Sequence, residues 1–95
     1  MDRFPDDLSD DDDYHRIRAE RLRIYADLAV TFSEIAAVRK EPESRARTVL
    51  NARNLYEQIL KQMPSLPMEK EDAAIIEGKL GILKMRLTEL GELLD

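Results

Sequence analysis

Residues 73–94 read AAIIEGKLGILKMRLTELGELL, and within them Ala73, Ile76, Leu80, Leu83, Leu87, Leu90 and Leu94 follow one another at steps of 3, 4, 3, 4, 3 and 4. That spacing holds one stripe of a helix toward a partner and predicts a long third helix over about residues 69–94. Glu69, Glu71 and Asp72 fall in its first turn, where the helix dipole favours negative charge. A seam of this kind defines architecture but carries no chemistry of its own.

Working back toward the N-terminus, Pro64-Ser65-Leu66-Pro67 is a short, stiff connector. Before it, Val49, Ala52, Tyr56, Ile59 and Met63 again alternate steps of three and four, with Ala46 and Leu60 widening the stripe. They predict a second helix over about 43–63, opened by Pro42 and stopped by Pro64. Further back, Tyr14, Ile17, Ile24, Tyr25, Leu28, Phe32, Ile35 and Ala36 lie within a stripe roughly 100° wide at helical period, which predicts a first helix over about 12–40. Residues 1–11 are too rich in aspartate to bury much apolar surface and are expected to form a disordered acidic tail.

Short connections between long helices make neighbours antiparallel, so the expected fold is all-α, an up-down-up antiparallel three-helix bundle over residues 12–95. Its core is expected to gather Ile24, Leu28, Phe32, Val49, Tyr56, Leu80, Leu83 and Leu87. The second helix is the shortest. The amino end of the first helix and the carboxyl end of the third are therefore expected to overhang it at opposite ends.

The net charge of −5 is unevenly spread: residues 1–13 sum to −6, residues 14–53 to +4 and residues 54–95 to −3. With 95 residues, no cysteine and no apolar run of membrane-spanning length, the chain is expected to be a soluble, cytoplasmic, single-domain protein. The one histidine, His15, has no second histidine or thiol with which to form a metal site or a nucleophile–base pair. Glu77-Gly78-Lys79-Leu80-Gly81 lacks the glycine spacing and the hydroxyl residue of a phosphate loop. The aspartate tract lacks the glycine turn and closing glutamate of a helix–loop–helix calcium site. No enzymatic constellation, cofactor or metal site is expected.

Two sets of charged residues call for an account. Arg16, Arg18, Arg21 and Arg23, with Arg45, Arg47 and Arg53, could in principle meet nucleic acid, the alternative functional reading. Glu20, Asp27 and Glu34 dilute that surface, and the up-down-up arrangement sets the first-helix arginines near acidic residues that open the third helix. Arg21 in particular falls inside the apolar stripe of the first helix. It is expected to form a structural ion pair with Asp72 or Glu77.

In spacing, Ala52, Tyr56 and Pro64 resemble the second helix of a tetratricopeptide repeat over about thirteen residues. Ile59 stands where that repeat carries a small residue, and no function is carried over from the resemblance.

The remaining signal is a second apolar stripe on the third helix. Ile75, Ile82 and Leu93, with Met85 to one side, lie away from the seam centred on Ile76, Leu80, Leu83, Leu87 and Leu90. Aligned apolar residues that the core cannot use suggest a contact surface. The expected function is thus a small helical protein–protein interaction module, self-associating as a dimer or docking a partner helix through Ile75, Ile82, Met85 and Leu93.

Overall fold

The computed structural model describes residues 6–92 and 94, with side chains from Tyr14 onward. Three α-helices, α1 (Asp6–Val38), α2 (Pro42–Gln62) and α3 (Lys70–Glu89), pack against one another in an all-α bundle, and the described residues contain no strand. A single 3₁₀ turn, Met63–Ser65, follows α2. α1 lies between the other two, while α2 and α3 touch each other less than either touches α1. The result is long and flat, with principal dimensions of 57 × 24 × 17 Å.

Cross-helix contacts fix the directions. Arg39 donates to the Ser44 hydroxyl at one end and Arg18 to Gln62 Oε1 at the other, so α2 runs antiparallel to α1. Arg23 meets Asp72, Asp27 meets Lys79 and Glu34 meets Arg86, so α3 runs parallel to α1 and almost in step with it.

The helix boundaries follow local chemistry. α2 opens at Pro42 because its missing N–H is one the first turn leaves unbonded anyway, and the preceding Glu41 is extended (φ −75°, ψ 122°). α3 closes earlier than its apolar spacing suggests, because Gly91 takes a left-handed backbone conformation (φ 97°). The Glu92 N–H then bonds the Leu87 carbonyl at 2.9 Å and the Gly91 N–H bonds the Thr88 carbonyl at 3.0 Å, a paired cap that reverses the chain. The expected overhang at the carboxyl end of α3 is therefore absent, and Leu94 folds back onto the core.

At the other end α1 begins at Asp6 rather than near residue 12, so residues 6–11, expected in a tail, are helical. Carboxylates in the opening turns of a helix are stabilised by its dipole, which accounts for an aspartate-rich start. The part of the expected tail before Asp6 lies outside the described residues. The first turns of α1 project past the ends of α2 and α3, as Arg18 is already level with Gln62.

The core departs from expectation on α1 alone. Val49, Tyr56, Leu80, Leu83 and Leu87 are buried together as expected, joined by Ala52, Ile59, Leu66 and Ile76. Ile24 and Leu28, expected in the core, are exposed, and Phe32 is only partly buried. The buried face of α1 is instead Ala19, Leu22, Ala26, Ala29, Ser33 and Ala36, again at steps of 3, 4, 3, 4 and 3. The reason is volume. α1 must accommodate two neighbours, and α2 and α3 bring large side chains that fill the shared space against an α1 face that is small apart from Leu22. The buried Ser33 hydroxyl costs little, because it donates to the Val30 carbonyl at 2.6 Å.

Candidate interaction surface

With its alanine seam turned inward, α1 presents a second heptad outward. Tyr14, Ile17, Arg21, Ile24, Leu28, Thr31, Ile35 and Val38 follow at steps of 3, 4, 3, 4, 3, 4 and 3, and all but the half-buried Ile35 are exposed. Ile24 is 61% exposed and Leu28 42%. An amphipathic helix ordinarily has one apolar stripe; α1 has two, on nearly opposite sides.

α3 repeats the arrangement in shorter form. Ile75, Ile82 and Met85 are 37%, 43% and 56% exposed, as expected for residues that the core cannot use. Leu93, assigned to the same stripe, lies outside the described residues. Between the two exposed stripes runs a ladder of three ion pairs, Arg23–Asp72 at 3.2 Å, Asp27–Lys79 and Arg86–Glu34 at 3.8 Å. Going round α1 from its buried face, Arg23, Asp27 and Glu34 come first and Ile24, Leu28 and Ile35 next. Going round α3, Asp72, Lys79 and Arg86 come first and Ile75 and Ile82 next. Both stripes therefore flank the ladder on one broad face of the molecule.

The ladder corrects the expected ion pair. Asp72 binds Arg23, two residues beyond Arg21, and Glu77 is exposed. A pair from Arg21 to α3 requires the Ile24–Leu28 stripe to face inward. Because the alanine seam faces inward, Arg21 lies on the outer stripe, exposed. These solvent-bathed pairs set the parallel register of α1 and α3 more than they stabilise it, since exposed pairs contribute roughly 0–1 kcal/mol each.

Three of the arginines that could meet nucleic acid are held by protein groups. Arg23 is paired, Arg18 lies 5.5 Å over the Tyr14 ring and donates to Gln62, and Arg53 bonds both Glu57 at 3.1 Å and Glu92 at 2.9 Å. The Glu92 and Glu57 carboxylates raise the Arg53 pKa above its ordinary value, Glu92 having the larger effect. Through that bond Arg53 ties the reversed chain after α3 to α2. Arg45 and Arg47 remain exposed on α2.

His15 is half-buried beside the Tyr14 ring, with centroids 5.9 Å apart, in a shallow cleft against Pro67, Met68 and Glu69. Among the described residues no group of three or more histidines and carboxylates is placed to hold a metal ion, and no helix is long and apolar enough to cross a membrane.

Compared with protein-family models, with curated proteins and with solved structures, the chain matches none of them. The reading of the surface consequently rests on its own geometry.

Sequence reasoning misses the outer α1 stripe as a surface, because its large aliphatic side chains point to a core. A contrary signal is present: the outer stripe contains Arg21, whereas the inner seam contains no charged residue from Ala19 to Ala36.

Proposed function

We propose that this chain is a small helical protein–protein interaction module that works in the cytoplasm and self-associates through the broad face carrying Ile24, Leu28, Ile75, Ile82 and Met85. The observation that carries this reading is the pair of aligned apolar stripes left exposed on that face. Isolated exposed aliphatics are ordinary on a monomer; two stripes side by side over several turns are the pattern of a contact surface. Covering a Leu or Ile contributes roughly 1.5–3 kcal/mol as an upper estimate, enough for association after the cost of immobilising two chains is subtracted. The absence of any cysteine suits a reducing compartment.

Sedimentation equilibrium over a concentration series tests the reading. The wild-type chain is expected to rise from 11.0 kDa toward twice that mass, whereas the variants Ile75→Glu/Ile82→Glu and Ile24→Glu/Leu28→Glu are each expected to associate more weakly, because introduced carboxylates must be desolvated in the contact. A wild type that stays at 11.0 kDa at every concentration overturns self-association.

A further inference from the structure

The outer seam of α1 has an internal symmetry. Its positions 14, 17, 21, 24, 28, 31, 35 and 38 are placed symmetrically about residue 26. Reversing the seam about that point sets Tyr14 opposite Val38, Ile17 opposite Ile35, Ile24 opposite Leu28, and Arg21 opposite Thr31. Every apolar position then meets an apolar one, and the two polar positions meet each other. From this pattern we infer that the seam pairs with the same seam of a second copy, antiparallel, about a two-fold axis near Ala26. The inference rests on the self-association proposed above and specifies its geometry.

Charge supports the antiparallel sense. In a parallel, in-register pair, Arg21 faces Arg21 of the other chain, a like-charge layer inside an apolar seam. In the antiparallel pair Arg21 faces the partner's Thr31, which is flanked one turn to either side by the partner's Asp27 and Glu34. Both carboxylates are more than half exposed, at 61% and 55% of their side chains, and are available to a second cation. The Thr31 hydroxyl already donates to the Asp27 carbonyl at 3.0 Å, so it enters an apolar layer with its hydrogen bond made. A polar layer of this kind fixes register and orientation, because any slip sets Arg21 against an aliphatic side chain.

A second element agrees. The contact of Asp27 with Lys79 places Gly78 level with the centre of the α1 seam. Gly78 is an exposed mid-helix glycine at which an added Cβ meets nothing within 4 Å, so the single chain gives no steric reason for it. An antiparallel pair about this axis sets Gly78 level with Gly78 of the second copy, where the lack of a side chain leaves room for approach, although Gly81 is equally open.

The absence of cysteine makes the register directly testable in this chain. Chains carrying Ile17→Cys and Ile35→Cys are mixed and oxidised. The antiparallel pair brings position 17 onto position 35 and separates the two copies of position 17 by roughly 27 Å along the axis, beyond the ~7 Å reach of a disulfide. The mixed disulfide is expected, with loss of both homodisulfides. Spin labels on the exposed Ala37→Cys provide a second readout, about 33 Å apart along the axis in the antiparallel pair and level with each other in a parallel one. Homodisulfides with level labels overturn the antiparallel register while self-association stands. A dimer that gives no crosslink on α1 and is insensitive to Ile24→Glu/Leu28→Glu overturns the α1 seam and leaves the α3 stripe as the contact. A chain that is monomeric throughout overturns both the register and the self-association on which it rests.

Discussion

Leu83→Ala is expected to cost about 3 kcal/mol, within the usual 2–5 for a buried leucine, and to lower Tm by roughly 12–24 °C for a domain of this size. Leu83 lies mid-seam on α3 and is fully buried among residues from all three helices. Deleting its branched end removes transfer energy and leaves a cavity that three rigid helices close only in part. The neighbouring Ile82→Ala serves as the control: Ile82 is 43% exposed, and its truncation in the monomer is expected to change stability by only about 0.5 kcal/mol. Thermal melts of the two variants at a concentration where the chain is monomeric read the contrast directly. Equal losses would show that α3 is turned differently from the seam described.

The second large effect is expected in the opposite direction of size. Ala29→Leu is expected to destabilise the fold by roughly 1–3 kcal/mol, although leucine is the more hydrophobic residue and a good helix former. Ala29 is fully buried in the small-residue seam of α1, with Ala26 and Ser33 on adjacent turns. In a close-packed interior three added carbons must push α2 or α3 away or leave a rotamer minimum. Urea denaturation checks the sign. An Ala29→Leu variant as stable as the wild type, or more so, would indicate that α1 packs less closely than its alanine face implies.

How far the fold could be read from sequence differed from helix to helix for physical reasons. On α3 the leucine heptad faces inward as its spacing implies, because the competing stripe of Ile75, Ile82 and Met85 is shorter and interrupted by Gly78. α2 is bracketed by Pro42 and Pro64, and proline acts locally, so its limits were legible within a residue or two. The end of α3 was not, since Leu90 and Leu94 continue the apolar spacing across Gly91 and only the left-handed backbone there shows the stop.

α1 was legible as a helix but not in its rotation about its own axis. Two heptads compete for the interior, one rich in Ile and Leu and one rich in Ala, and hydrophobicity favours the first. Packing decided for the second, whose mostly small residues leave room for the large side chains of α2 and α3. The same rotation explains the misassigned ion pair: Arg21 follows the outer stripe to the surface and Arg23 takes its place beside Asp72. Of the expected contact surface, Ile75, Ile82 and Met85 are exposed as expected, while the longer stripe beside them was hidden by that one difference of rotation.

The rotation of α1 is therefore the claim on which the surface, its symmetry and its proposed partner all depend. The most direct test is the unfolding free energy of Ile24→Glu/Leu28→Glu, measured in urea at a concentration where wild type and variant are both monomeric. With both residues on the outer face, the change is expected to stay within about 1 kcal/mol of wild type, as for two ordinary surface substitutions. A loss of several kcal/mol, the cost of placing two carboxylates in an apolar core, would mean that Ile24 and Leu28 face inward and would contradict the account.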